Sequence, residues 1–286
     1  MTTPPIPVRS PEAIELDLFL EALHRRYHFD FRAYSRSSLA RRADLARERL
    51  GCATLSEVQG RLLHEPKVLA DVIDAMTVQV SELFRDPAYY LALRQEVLPH
   101  LQTFPSLKVW VAGCADGEEL YSLAILFHEE GLLERTLFYA TEINARALRR
   151  AEAGVYDIER LPQFSQNYQQ AGGRGSLSDY YTAAYGRAAF DRSLRARTVF
   201  SEHNLATDQV FSEVHLITCR NVLIYFDTPL QDRTLGLFAE ALTRGGFLGL
   251  GSHETLRFSS HAPAFAAFDE SHRIWRRTSQ ELTHAR

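Results

Sequence analysis

VWVAGCADGEELYSLAIL, residues Val109 to Leu126, reads as a β-strand, a turn and the opening of a helix. Apolar residues run to Ala112, glycines punctuate the turn at Gly113 and Gly117, and apolar residues then recur at helical spacing. In an open α/β sheet such a unit holds a ligand outside the carboxyl end of its strand. A dinucleotide would need GxGxxG, because glycines let the backbone approach the pyrophosphate and leave the helix N-terminus to face its charge. This turn has two glycines and then Glu118 and Glu119, which repel an anion. The paired acids point to a neutral or cationic cofactor such as S-adenosylmethionine, with its sulfonium and ammonium, and away from a nicotinamide dehydrogenase. Acids in a first helical turn also complement the helix dipole, so the pair does not decide the matter by itself.

The same rhythm extends in both directions. LKVWVAG, GEELYSLAILFHEEGL, TLFYATEI and NARALRRAEAGVY alternate as strand, helix, strand and helix. Later, EVHLITC reads as a strand and TPLQDRTLGLFAEALTRGG as a helix opened by Asp227 or Thr228 with Pro229 and closed by Gly245 and Gly246; FLGLGS is a further strand. This is the pattern of a doubly wound α/β domain with a parallel sheet. Between the halves, residues from about 172 to 200 break the rhythm with Gly, Ser and aromatics, which fits a small antiparallel insertion.

Upstream, Ala13 to about Met76 is rich in Leu, Ala, Arg and Glu at helical spacing, with a break near Gly51, and predicts a small all-helical domain. Within SLARRADLARERL, Leu39, Ala43, Ala46 and Leu50 form one stripe, bordered by Arg42 and Arg49. Arginines at 32, 36, 41, 42, 47 and 49 make this region a candidate surface for an acidic partner, or a solvated face laced with Asp44 and Glu48. TVQVSELFRDPAYYLALRQEVLPHL is an extended piece ending at Arg85, then a helix with Pro87 in its first turn. The expected organisation is a disordered, proline-bearing lead over 1–10, a helical domain over 11–76, a connector over 77–90 and an α/β domain over 91–286.

With 286 residues, 45% of them apolar, and a net charge of −4, the chain lacks the basic excess of a nucleic-acid binder. No apolar run reaches the ~20 residues that span a bilayer and no signal-peptide core opens the chain, so a cytoplasmic protein without membrane insertion is expected, as a monomer. Cys52, Cys114 and Cys219 show neither a CxxC pair nor histidines at zinc-ligand spacing, which predicts buried thiols and no metal site.

Two further strand tips carry chemistry. YATEIN places Glu142 at the end of the second strand, where a carboxylate can accept both ribose hydroxyls of an adenosine. ITCRNVLIYF ends a buried strand in Arg220 and Asn221 and continues to Tyr225 and Asp227. Packing alone rarely asks a core strand to end in Cys-Arg-Asn, although Arg220 also suits a structural ion pair and Tyr225 a half-buried aromatic.

Taken in order, TVQVSELFRD, AGCADGEELYS, ATEINARALRRAEAGVY, FSEHNL, ITCRNVLIYFD and GGFLGLGSHETL resemble the chemotaxis receptor methyltransferases, the CheR family, from about Tyr27 to near the C-terminus. The resemblance implies a Rossmann-like class I S-adenosylmethionine-dependent methyltransferase with a small N-terminal all-helical domain and an inserted antiparallel β-subdomain. It also implies methyl transfer to glutamate side chains on the cytoplasmic helices of chemoreceptors, with S-adenosylhomocysteine as product, and in some members a grip of the β-subdomain on a receptor's C-terminal peptide. By position, the resemblance puts Gln79, Ser81 and Arg85 on the connector at the cofactor and Gly113 in the first turn. Glu119 falls at the methionine end, Glu142 on the ribose, and Asn204 with Leu205 near the adenine. Arg220, Asn221 and Tyr225 surround the methyl group, with Arg85, Arg220 and Tyr225 as the catalytic set.

The family's connector usually reads Thr-x-Asn-x-Thr-x-Phe-Phe-Arg. Here Gln79, Ser81 and Leu83 replace the Asn, the second Thr and the first Phe. Glu142 stands for the usual Asp, Leu120 for a Pro, and His253 for a Ser. The alternative that these departures raise is a non-catalytic regulator that binds S-adenosylmethionine and docks a signalling partner.

Overall fold

The chain forms two units, which divide between Val78 and Gln79, and among the described residues the first holds four α-helices. The computed structural model describes residues 9–278; of the lead expected to be disordered, residues 1–8 lie outside this range. Helix α1 (Pro11–Tyr27) begins where Ser10 accepts the Ala13 N–H through its hydroxyl and Pro11 opens the first turn. Helices α2 (Arg36–Arg49), α3 (Leu55–His64) and α4 (Leu69–Met76) follow. On α2 the expected stripe is buried at Leu39, Ala43 and Ala46, and the helix packs on α4. Several of its arginines are laced to acids: Arg36 to Asp17 at 2.5 Å, Arg47 to Asp44 at 2.7 Å and Arg49 to Asp74 at 3.4 Å.

Among the described residues the second unit has ten strands: β1 (Leu107–Ala112), β2 (Thr136–Glu142), β3 (Val155–Asp157), β4 (Tyr181–Ala184), β5 (Arg187–Phe190), β6 (Thr198–Glu202), β7 (Val214–Cys219), β8 (Leu242–Leu250), β9 (Phe265–Asp269) and β10 (Ile274–Arg277). Seven form one sheet in the order β6-β2-β1-β7-β8-β10-β9, and β3, β5 and β4 form a small one. Strands β6, β2, β1, β7 and β8 pair in parallel, while β10 runs antiparallel to its neighbours. The strand order reverses between β1 and β7, and the tips of the five parallel strands share one rim. A crevice opens there by topology alone.

Six helices accompany these strands: α5 (Pro87–Ala92), which passes through a wider π turn into α6 (Leu98–Leu101), then α7 (Glu118–Glu129), α8 (Ala145–Ala153), α9 (Leu161–Gln170) and α10 (Thr228–Ala241). Helix α7 is buried along nearly its whole length, from Leu120 to Phe127, between the sheet and the small sheet's support. Each fully buried Leu or Phe there is worth about 1.5–3 kcal/mol relative to exposure, so this helix is a fixed platform for its first turn.

Two local expectations are corrected. Helix α8 stops at Ala153, because Gly154 (φ 63°) turns left-handed and its amide closes on the Arg150 carbonyl. The residues after it, expected as helix, become β3 and pair with β5, so the small sheet draws on chain that precedes residue 172. Helix α10 stops at Ala241 rather than at Gly245 and Gly246. Leu242 already pairs with Val214, and both glycines lie within β8 beside a shift of register. Sheet pairing and burial of Leu242 override the glycine stop signal. All three cysteines are buried and unbonded, and among the described residues no helix is long and apolar enough to cross a membrane.

Candidate active site

The turn after β1 is held by its neighbour: the amides of Gly113 and Cys114 both donate to the Thr141 carbonyl, at 2.8 and 2.9 Å. Gly113 (φ 73°) lies so close to the loop after β7 that a Cβ would sit 2.6 Å from Val222 Cγ2. Only glycine meets both demands. Gly117 (φ 97°) then starts α7 and delivers the two acids to different places.

Glu118 turns inward. Its Oε1 accepts from Arg160 Nη1 at 2.8 Å, and the same guanidinium donates to the Ser81 carbonyl and lies 4.7 Å from the Phe164 ring. Glu118 is therefore tied to Arg160 through Oε1, and its Oε2 is buried without a hydrogen-bond partner among the described residues. Glu119 faces the rim, with a side chain 14% exposed and Oε2 3.8 Å from Arg220 Nη1. Its Oε1 is buried without a hydrogen-bond partner among the described residues. Burial pushes the Glu119 carboxyl up, against the pull of the Arg220 charge. An unpaired buried carboxylate oxygen costs free energy unless a donor or cation meets it, and it fits the ammonium end of S-adenosylmethionine.

Glu142 ends β2 and is buried. It already accepts three backbone N–H groups: Ala115 on Oε2 at 3.0 Å, Ile143 and Asn144 on Oε1 at 2.9 and 3.1 Å. Burial pushes its carboxyl up while these bonds pull it down. The carboxylate thus shapes the left-handed turn at Ala115 (φ 48°) and keeps lone-pair capacity for a ribose. Beyond β6, the Asn204 carboxamide oxygen accepts from Ala206 N at 3.0 Å, and buried Leu205 offers its carbonyl to Arg233. Asn204 and Leu205 therefore sit on the same rim, in a loop closed on itself.

The connector residues Ser81 to Asp86 are strapped down through their backbone. Arg160 holds the Ser81 carbonyl, Asn167 the Leu83 carbonyl at 3.0 Å, Ser122 Oγ the Phe84 amide at 2.7 Å and Arg220 the Arg85 carbonyl at 2.8 Å. Gln79, half-buried, has its Oε1 unpaired among the described residues, and the half-buried Arg85 guanidinium makes one long bond, to the Val80 carbonyl at 3.4 Å. Arg220 is buried, paired with Asp86 at 2.8 Å, and stacked over Tyr89. Burial works against its charge, but Tyr90, Glu119, Tyr89 and Asp86 together hold the guanidinium firmly protonated. Asn221 (φ 61°) is half-buried, and Tyr225 follows, half-buried, in a short 3-10 turn.

The structure thus brings Gly113, Glu119, Glu142, Asn204, Leu205, Arg220 and Asn221 to the strand tips, and ties Ser81 and Arg85 to them through Arg160 and Arg220. The residues given no role from sequence are Arg160 and Asn167, outside the quoted motifs, and Ser122 and Glu254, which lie within them; their partners are far away along the chain. Two family models divide the chain where the structure does: the CheR methyltransferase all-alpha domain matches residues 14–77, and the CheR methyltransferase S-adenosylmethionine-binding domain matches residues 79–273. The chain belongs to the CheR methyltransferase family.

Cher3 of Pseudomonas putida, provisionally named a methyltransferase, is 50% identical over 265 residues, 93% of this chain and 97% of its own. A chemotaxis protein methyltransferase of Listeria monocytogenes is 30% identical over 83% of this chain and 88% of its own. Chemotaxis protein methyltransferase 1 of Pseudomonas aeruginosa is 31% identical over 73% of this chain and 78% of its own. As a CheR methyltransferase the protein uses S-adenosylmethionine, and the class I fold, with its helical domain and small antiparallel sheet, is the one expected. Family membership favours catalysis over the non-catalytic alternative.

Proposed function

We propose that this protein methylates glutamate side chains on the cytoplasmic helices of chemoreceptors, giving γ-glutamyl methyl esters in chemosensory adaptation. The observation that carries this reading is the unpaired Glu119 oxygen at the switch point of a chain that matches both CheR domains. The named relatives support the chemotactic setting. When bound, the cofactor supplies a sulfonium methyl group as electrophile. A glutamate has an ordinary pKa of about 4.3 and is ionised at neutral pH, so the chain need provide no general base. Its work is to align the carboxylate and to strip its water.

Arg85 suits the first task, because its guanidinium is only lightly engaged and one donor can orient the incoming anion. A full bidentate clamp would weaken the nucleophile. Arg220 acts through the strap that carries Arg85, and Tyr225 borders the methyl group. We place the enzyme in the cytoplasm with its receptor, and the β4 edge as a grip for a receptor tail.

The test is to incubate the protein and S-adenosylmethionine with a candidate receptor's cytoplasmic fragment and to map the modification by mass spectrometry. Methyl groups on glutamates support the reading. Modification confined to other residue types would remove it.

A further inference from the structure

A carboxylate outside the expected set organises the loop that carries Arg220, Asn221 and Tyr225. Glu254 is 4% exposed and lies in the chain after β8. Its Oε2 accepts from the amides of Gly251 and Asn221 at 2.6 and 3.0 Å, and its Oε1 from those of Val222 and Leu223 at 2.9 and 2.7 Å. Three consecutive loop amides and one from the next strand tip thus converge on a single side chain. No cation lies within ion-pair distance of it among the described residues, so backbone dipoles alone stabilise whatever charge it carries. Gly251 leaves room for this: a Cβ there would stand 2.8 Å from Asn221 N and 2.9 Å from Glu254 Oε2.

Amides at a rim can be satisfied by water, which makes a buried carboxylate an expensive way to hold them. Its return is a fixed backbone. Asn221 adopts the left-handed conformation that a non-glycine residue rarely takes. That bend sends Arg220 back into the protein toward Asp86 and Glu119 while the chain continues along the rim to Tyr225. Resting on the function proposed above, we infer that Glu254 is a positioning residue for methyl transfer: by gathering the 221–223 amides it sets Asn221 and Tyr225 against the cofactor without touching it.

Glu254→Gln keeps the shape but turns an NH2 group toward amide donors, so part of the loop loses its acceptor. Gly251→Ala keeps the Glu254 side chain but crowds both its carboxylate and the Asn221 amide, forcing them apart. Glu129→Gln is the control: the Glu129 side chain is 4% exposed, accepts from Tyr168 and Tyr180, and sits at the opposite end of α7 from Glu119. With a loop misplaced by an ångström, kcat should fall about 100-fold in Glu254→Gln, with receptor KM within about twofold. S-adenosylhomocysteine affinity by calorimetry should fall about tenfold in Glu254→Gln, from the misplacement of Asn221, and in the same direction in Gly251→Ala. Glu129→Gln should lose melting temperature while keeping kcat and affinity. Unchanged kcat and affinity in folded Glu254→Gln overturn the inference, and Gly251→Ala decides it by the same criteria if Glu254→Gln does not fold. Wild-type protein that binds the product but methylates no receptor would instead remove the proposed substrate, and the affinity measurements would still decide the role of Glu254.

Discussion

Arg220 and Asp86 form an ion pair in which one nitrogen lies 2.8 Å from the Asp86 carboxylate and also donates to the Arg85 carbonyl at 2.8 Å. The guanidinium carbon sits 4.2 Å from the centroid of the Tyr89 ring. One buried side chain therefore joins the tip of β7 to the strap that presents Arg85. Its Nη2 is fully engaged by the strap, while its Nε is buried without a hydrogen-bond partner among the described residues.

Arg220→Ala should consequently act through the strap. Removing the guanidinium takes away the bond to the Arg85 carbonyl and the contact with the Tyr89 ring, while Asp86, whose side chain is 44% exposed, is left to water and not buried unpaired. The expected result is a lower melting temperature together with weaker cofactor binding. Arg220→Lys should recover little, because an ammonium cannot serve the Arg85 carbonyl, Asp86 and the Tyr89 face together. Thermal denaturation with and without S-adenosylhomocysteine checks this: stabilisation by the product should shrink in both variants.

Glu119 makes cofactor binding pH-dependent. Burial raises its carboxyl above the ordinary range in the free protein, and a cationic ligand favours the ionised form, so binding releases protons as the pH falls toward that raised value. The sign follows: affinity should be full near neutrality and weaken on acidification, at pH values above the usual carboxylate range. Glu119→Gln should bind weakly and flatten the profile. Calorimetry across this range, in two buffers of different ionisation heat, measures it; an unchanged acid limb in the variant would assign the titration elsewhere.

At the second strand tip, Glu142→Gln should weaken S-adenosylmethionine and S-adenosylhomocysteine alike. A hydrogen bond to a charged group is worth about 1.5–3 kcal/mol, which corresponds to about 10–100-fold in affinity. Because Glu142 also holds the Ala115, Ile143 and Asn144 amides, the melting temperature should fall even without ligand. Unchanged binding of both ligands by calorimetry would remove Glu142 from the ribose.

The strand-turn-helix at Val109–Leu126 was legible because its pattern is local: apolar run, glycine turn, then apolar residues at helical spacing. The strand tips followed once the topology was expected, since parallel strands put their carboxyl ends together. What each tip residue does was less legible. Glu118 and Glu119 are adjacent in sequence, yet one meets Arg160, just before α9, and is 1% exposed, while the other lies beside Arg220 and is 14% exposed. Glu254 meets amides some thirty residues upstream, a pairing that no periodicity carries. Val155 and Tyr156 read as the tail of a helix until β5 is there to pair with them.

The small sheet leaves β4 paired on one side only, with β5, and most of its residues are exposed. Of the aromatics that suggested a peptide grip, Tyr180 donates to Glu129 and Tyr181 packs on Phe190, while Tyr185 stands exposed at the hairpin turn. A peptide would therefore be held through backbone bonds to the edge. The Asp191 amide bonds to the Tyr180 carbonyl and pairs alternate along an antiparallel ladder, so Thr182 and Ala184 face β5 while the Ala183 amide faces the open edge. Ala183→Pro should abolish binding of a receptor tail peptide and leave methylation of a tailless receptor intact. Titration calorimetry with the peptide gives the answer.

On the helical unit, Arg41 is exposed on α2 and has no ion pair among the described residues. Arg41→Glu should raise the receptor KM by about 3–10-fold at low salt and reduce its salt dependence, since screening acts on the charge removed. Cofactor affinity should not change. Wild-type receptor kinetics in this variant would place docking on another surface.

The most direct test of the central claim is the chemistry of the transferred methyl group. Receptor cytoplasmic fragment labelled by this protein from tritiated S-adenosylmethionine is treated with mild alkali, and volatile methanol is counted. A glutamyl methyl ester releases its label as methanol, and that release is the predicted result. Label that stays on the protein through alkali would mean an amine or another base-stable acceptor, and would contradict glutamate methylation.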